Sequence, residues 1–191
     1  MQIFNCSYQI KEYKNMYLCP KKLNTYPTHN ISSCLAHMNL SSLEYSHLIA
    51  WIAYFKQGVV LNSTQMQKLM FICYGRCLAE AHTLIFEDDT PKAWPFGPVF
   101  PRSYKHYAEG APTDLSQEEK KAFADNPDTL KIIAETVGNY CHLSATRLSE
   151  WSHRPGSPWH QTVFNGSPAW NRVIDRGIIE RFFNDNWQTG L

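Results

Sequence analysis

Ala93-Trp94-Pro95-Phe96-Gly97-Pro98-Val99-Phe100-Pro101 places three prolines, one glycine and three large aromatics in nine residues. Proline removes a backbone donor and fixes φ, and glycine admits angles that other residues avoid, so the stretch is neither helix interior nor central strand. It reads as a rigid turn. Its aromatics are either buried by neighbouring elements or exposed to hold a partner, and the flanking pattern favours burial.

On its C-terminal side, Pro101 suits the first turn of a helix running through Tyr104 and Tyr107 to Gly110. On its N-terminal side, Leu84-Ile85-Phe86 and Lys92-Ala93-Trp94 read as a short β-hairpin, with Glu87-Asp88-Asp89-Thr90-Pro91 as a solvated tip. The long helix upstream, capped by Asn62 or Ser63 and ending near His82, carries Met66, Leu69, Met70, Cys73, Cys77 and Ala81 at helical spacing. That stripe marks the core helix, and Lys68 falls on the opposite side, toward solvent. An earlier helix, capped by Ser42, runs to about Gln57 and is stopped by Gly58.

Downstream, Ser116-Gln117-Glu118-Glu119 is a capping box, Asp128 opens an apolar-faced helix, and Ser144 caps one carrying Leu148 and Trp151. Ser157-Pro158 opens the next helix, Asn165-Gly166 breaks it, and Asp175 caps a last one through Phe182 and Phe183. The expected fold is mainly α: one compact helical domain over 38–191, with one short β-hairpin before the Gly-Pro-Val turn. Residues 1–37 show no sustained periodicity and read as an atypical extension, with Met38 the expected natural start.

Of 191 residues, 43% are hydrophobic and 18% charged, which describes a folded chain. The net charge of +1 divides into +3 on residues 1–37 and −2 on the rest, too little field for a general nucleic-acid binder. Neither a membrane span nor a secretory signal is expected. Cys6, Cys19, Cys34, Cys73, Cys77 and Cys141 read as reduced thiols, so the expected location is cytoplasmic.

No catalytic constellation assembles from sequence. Cys73-x3-Cys77 with His82 lacks a second ligand pair at zinc spacing, so no metal or other cofactor is expected. Cys141 and His142, adjacent on a helix, diverge by about 100°. The second unusual stretch, Ser152-His153-Arg154-Pro155-Gly156-Ser157-Pro158-Trp159, reads as a rigid corner, with His153 bridging the turn and Trp159 packed beneath it.

These two segments, in order, resemble the SocA/GepA-like family, the Panacea antitoxin domain. The likeness begins at Thr64-Gln65-Met66-Gln67-Lys68-Leu69-Met70-Phe71, continues through Trp94, Phe96, Gly97, Pro98 and Val99, and returns at Ser152-His153 and Pro158-Trp159. It spans roughly 43–184. Pro95 and Ser152 depart from the family pattern, the second mildly, replacing the common threonine. The resemblance implies a non-enzymatic antitoxin that neutralises a protein toxin encoded by a neighbouring gene, by direct contact or by delivery to a protease.

It also implies scaffold roles for Gln67, Lys68, Leu69, Trp94, Phe96, Gly97, Pro98, Val99, Ser152, His153, Pro158 and Trp159. Arg102, Tyr104 and Tyr107, just beyond the turn, are the candidate partner contacts, since interface hot spots favour Arg and Tyr. The competing readings are a phage- or mobile-element-associated regulator that binds DNA, and an enzyme or metal site built around His153.

Overall fold

The computed structural model describes residues 40–164, 170–185 and 187–191, all within one unit, Asn39–Leu191. The readings of residues 1–37, of Met38, of Cys6, Cys19 and Cys34, and of the Asn165-Gly166 break lie outside the described residues. What is described is mainly helical, with a small antiparallel sheet.

Helix α1, Ser42–Trp51, starts with a capping box in which the Ser41 hydroxyl accepts from the Glu44 amide and Glu44 bonds back to the Ser41 amide. It runs on into a π-helical turn, Ile52–Lys56. Helix α2, Ser63–Glu80, opens with the same device built from Asn62 and Gln65. Every residue of α2 from Met66 to Ala79 is buried. The apolar stripe is only one side of that burial, because α1, four later helices and a strand close around the rest.

Strands β1, Lys92–Trp94, and β2, Gly97–Val99, pair antiparallel with Trp94 opposite Gly97. The hairpin therefore turns at Pro95-Phe96. This corrects the expected pairing: Leu84-Ile85-Phe86 is not a strand, and the Gly-Pro-Val stretch is itself the second arm. Ile85 and Phe86 are instead buried in the core, which accounts for the apolar run that suggested a strand. A third strand, β3, Arg172–Val173, pairs on the other side of β1, giving the order β2-β1-β3.

Helices α3 (Pro101–His106), α4 (Gln117–Ala124), α5 (Pro127–Tyr140), α6 (Ala145–His153), α7 (Pro158–Phe164) and α8 (Arg176–Asn184) complete the order. Ser116, Ser144 and Asp175 cap α4, α6 and α8 as their positions predict. Helix α8 lies tight against α2 because residue 75 is glycine: a Cβ there would overlap the Phe183 ring. Phe183 joins Phe71, Trp151 and Trp187 in edge-on and tilted aromatic contacts. Arg76, buried on α2, forks onto Glu80 at 2.6 and 2.8 Å, donates to Thr136 at 2.9 Å and lies over the Trp187 ring.

The acidic run is not the solvated tip it suggests. Asp88 accepts from the Ser42 amide at 2.8 Å, at the start of α1. Asp89 is buried and accepts from the Ser103 amide at 2.8 Å, at the start of α3. The N-cap residue of α3, Phe100, has no side-chain oxygen, so a carboxylate distant in sequence satisfies the helix's free donors. These two aspartates tie α1 and α3 to the entry of the sheet. No helix among the described residues is long and apolar enough to cross a membrane.

Candidate functional site

The hairpin is held from below by side chains of three helices. From α2, Gln67 Oε1 accepts from the Phe100 amide at 2.8 Å, and Lys68 Nζ donates to the Pro98 carbonyl at 3.2 Å. From α7, Trp159 Nε1 donates to the Trp94 carbonyl at 2.8 Å. From α6, the His153 ring faces the Pro95 carbonyl and lies 3.9 Å, centroid to centroid, from Trp159. A hairpin of three-residue strands has few ladder bonds, so these outside partners satisfy backbone groups that would otherwise be buried unpaired.

Lys68 thus overturns its expected solvent position. It is only 1% exposed, and burial lowers its pKa to about 7. Helix α2 is enclosed on all sides, so the face opposite the apolar stripe is also interior. Ser152 is buried beside it, its hydroxyl donating to the Ser149 carbonyl at 2.8 Å. Gly97, at φ +107°, sits directly over the pair: a Cβ there would come within 2.6 Å of Ser152 Oγ and 2.7 Å of Lys68 Cε. Only glycine fits both the backbone angle and the space.

A lysine and a serine in this proximity are the parts of one kind of nucleophilic site. Here both are sealed beneath the hairpin, and their reacting atoms have no open approach. His153 completes the cluster. Its pKa is lowered, first by burial and then by the Lys68 charge, with the Pro95 carbonyl pulling the other way. Its Nε2 is buried and makes no hydrogen bond, as does Gln67 Nε2. A neutral imidazole suits that environment.

Other candidates are not brought together. Cys73 and Cys77 are buried thiols, with the first raised to about 12 by burial, while His82 lies exposed beyond the helix end. Cys141 is buried and His142 exposed. Among the described residues, no group of three or more His, Cys, Asp or Glu side chains is placed to hold a metal ion.

Above the hairpin the chemistry reverses. Phe96, expected with the buried aromatics, is 76% exposed at the turn. Trp94 is half-buried, with Tyr104 edge-on at 5.3 Å and its Nε1 donating to Asn171 Oδ1. Of the three expected contacts, Tyr104 is exposed and Arg102 pairs with Asp88 at 3.2 Å. Tyr107 is half-buried, and its hydroxyl donates to the Leu61 carbonyl at 2.8 Å, which ties α3 to the chain ahead of α2. Leu69, Pro98, Val99 and Pro158 are all buried, in keeping with packing positions. Sequence reading missed Asp89, Asn171 and the bond made by Gln67. Their partners lie 14, 77 and 33 residues away, beyond any local pattern.

Residues 66–160 match the family described as antitoxin SocA-like, Panacea domain. Antitoxin SocA of Caulobacter vibrioides (strain NA1000 / CB15N) is 26% identical over 143 residues, covering 65% of this chain and 73% of that protein. No solved structure gives a significant match. The matched span begins on α2 and ends on α7, and so contains the whole hairpin with the side chains that hold it from below. The chain belongs to the antitoxin SocA-like family, with its Panacea domain at residues 66–160.

Proposed function

We propose that this protein is an antitoxin that neutralises a protein toxin, encoded by a neighbouring gene, through direct contact. The observation that carries this reading is the family match over the helices and hairpin, whose motif residues, Phe96 apart, turn inward to build a rigid platform. Their burial supports binding over catalysis: Lys68, Ser152 and His153 are occupied in holding backbone, not open to a substrate. Contact alone suffices for neutralisation if the toxin's working surface is covered. Delivery of the captured toxin to a protease is compatible with the same first step.

Expression of the neighbouring gene alone should arrest growth, and co-expression with this protein should restore it and yield a co-purifying complex. Failure of both rescue and complex formation would defeat the reading. Restored growth without a complex, accompanied by loss of operon transcript, would favour a DNA-binding regulator instead. The low net charge weighs against that alternative.

A further inference from the structure

Two basic side chains, Lys68 of α2 and His153 of α6, lie under one strip of backbone, the hairpin tip Trp94–Pro98. Lys68 is 1% exposed, and Gly97 covers it so closely that a Cβ there would come within 2.9 Å of Nζ, which leaves no room for water on that side. Among the described residues its amine has one acceptor, the Pro98 carbonyl at 3.2 Å. A neutral amine tolerates that, but an ammonium has three charged donors to place. His153 faces the Pro95 carbonyl, and its Nε2 is buried with no hydrogen bond. A neutral ring turns its single N–H to that carbonyl and leaves Nε2 as a lone pair, whereas an imidazolium would bury a second N–H unpaired.

No carboxylate is placed to hold either proton: among the described residues, neither base has an acidic partner. On α2, Arg76 pairs with Glu80. On α6, Arg147 and Glu150 are exposed, and Arg154 donates to the Trp187 and Thr189 carbonyls. On α7, His160 lies against Phe164, and on α3, Lys105 and His106 are exposed. Asp88 is held by Ser42 and Arg102, and Asp89 by Ser103. Lys92 on β1 and Arg172 on β3 add only positive charge. Burial accordingly lowers Lys68 to about 7, and burial followed by the Lys68 charge lowers His153.

The tip is also the part of the fold easiest to lift. Pro95 and Pro98 have no N–H for the ladder, Phe96 is 76% exposed, and the two strands pair over three residues each. Ala93 and Phe100, both fully buried, anchor its ends, while α2 packs on α1, α5 and α8 without it. We propose that Lys68 and His153 form an acid-operated latch: protonation of either lifts Trp94–Pro98 from α2 and α6 and lets water to the new charge, while the helices stay packed. In the lifted form both groups return to water, where lysine titrates at about 10.4 and histidine at about 6.5. The lifted form thus gains about tenfold for each pH unit of fall from about 10 to about 7, is level below that, and gains again below about 6.5 as His153 takes its proton. The stretch that carries the family motif becomes the first part of the domain to yield to protons.

Exchange of the indole N–H protons in the full chain, followed by NMR from about pH 8.5 to about pH 5, tests the latch. The Trp159 N–H bonds the Trp94 carbonyl and reports the tip, and the Trp151 N–H bonds the Trp187 carbonyl and reports the helices. Trp159 should be the less protected of the two and nearly indifferent to dilute urea, as local opening requires, with Trp151 slower and urea-sensitive. The Trp159 protection factor should fall about tenfold per pH unit down to about pH 7, and again below about 6.5. Lys68→Met should remove the upper fall and His153→Gln the lower. Equal protection and equal urea dependence of the two indoles would show that the tip moves only with global unfolding, and would overturn the latch. A flat Trp159 profile, or a fall that persists in the variant meant to remove it, overturns it too. Should Lys68→Met fail to fold, the wild-type profile and the lower fall in His153→Gln still decide between these outcomes.

Discussion

Below the hairpin, Lys68 and Ser152 are enclosed to 1% and 2% exposure and each bonds to backbone; above it, Phe96 is left 76% exposed. One two-stranded element separates these environments, and its motif residues other than Phe96 serve the lower one. The difference teaches where to look for function. Apart from Phe96, the residues that identify the family here hold the hairpin from below, while the aromatics above it stand exposed. A substitution below should act on stability and only thereby on binding. One above should act on binding alone.

The most damaging change should be Gly97→Val. It forces a β-branched residue into φ +107° and drives its Cβ onto Ser152 and Lys68. Backbone strain and overpacking together suggest a loss of about 3 kcal/mol or more. Urea denaturation should show a large fall in midpoint or no folded baseline. A soluble variant of wild-type midpoint would show that the lower side is loosely packed, and the contrast between the two sides would collapse. Trp159→Phe is the milder form of the same test. It keeps an aromatic under the corner but removes the donor to the Trp94 carbonyl, at about 2 kcal/mol for the buried group left unpaired. Midpoints for Trp159→Phe near that of Gly97→Val would mean packing, not the hydrogen bond, dominates.

The sequence made the elements legible and their partners much less so. Asn62, Ser116, Ser144 and Asp175 cap helices where the pattern puts them, because capping is a local matter of three residues, and the first cap falls at Ser41, one residue before the expected Ser42. The turn at Pro95–Gly97 was equally readable, since proline and glycine act on their own backbone. The strand partner of Lys92–Trp94 was misread because Leu84-Ile85-Phe86 is as apolar as a strand, although its apolarity serves the core. Lys68 was misplaced for a related reason: periodicity separates an inner from an outer face, and α2 has no outer face between Met66 and Ala79. Phe96 shows the converse, an aromatic within a buried motif that the two-residue turn pushes outward.

Lys68 offers a test through pH. An unfolded lysine titrates near 10.4, and burial lowers the folded group to about 7. Between these values the unfolded chain binds a proton that the native protein lacks, so this group's contribution to stability rises with pH from about 7 to 10, is lost as pH falls back toward 7, and is flat below that. The stability of wild type relative to Lys68→Met should therefore climb over that window, by on the order of 1 kcal/mol per pH unit. Taking the difference cancels the opposing slope from buried thiols such as Cys73, which burial raises. A flat difference would mean that Lys68 stays charged when folded, with water reaching it from below.

The smallest expected effect is also the sharpest for the contrast. Phe96→Ser removes the largest exposed ring of the hairpin without touching Lys68, Ser152, His153 or Trp159. Its neighbours are fixed by bonds to the Trp94 and Pro98 carbonyls, which do not involve its side chain. With most of the ring already in water, folding gains little from it, and the change in stability should stay within about 0.5 kcal/mol. Thermal and urea midpoints measured beside Trp159→Phe, on the lower side of the same hairpin, give the comparison directly. A loss for Phe96→Ser approaching that of Trp159→Phe would mean the ring packs against its own domain. The upper face would then be part of the scaffold, and the division of labour across the hairpin would not hold.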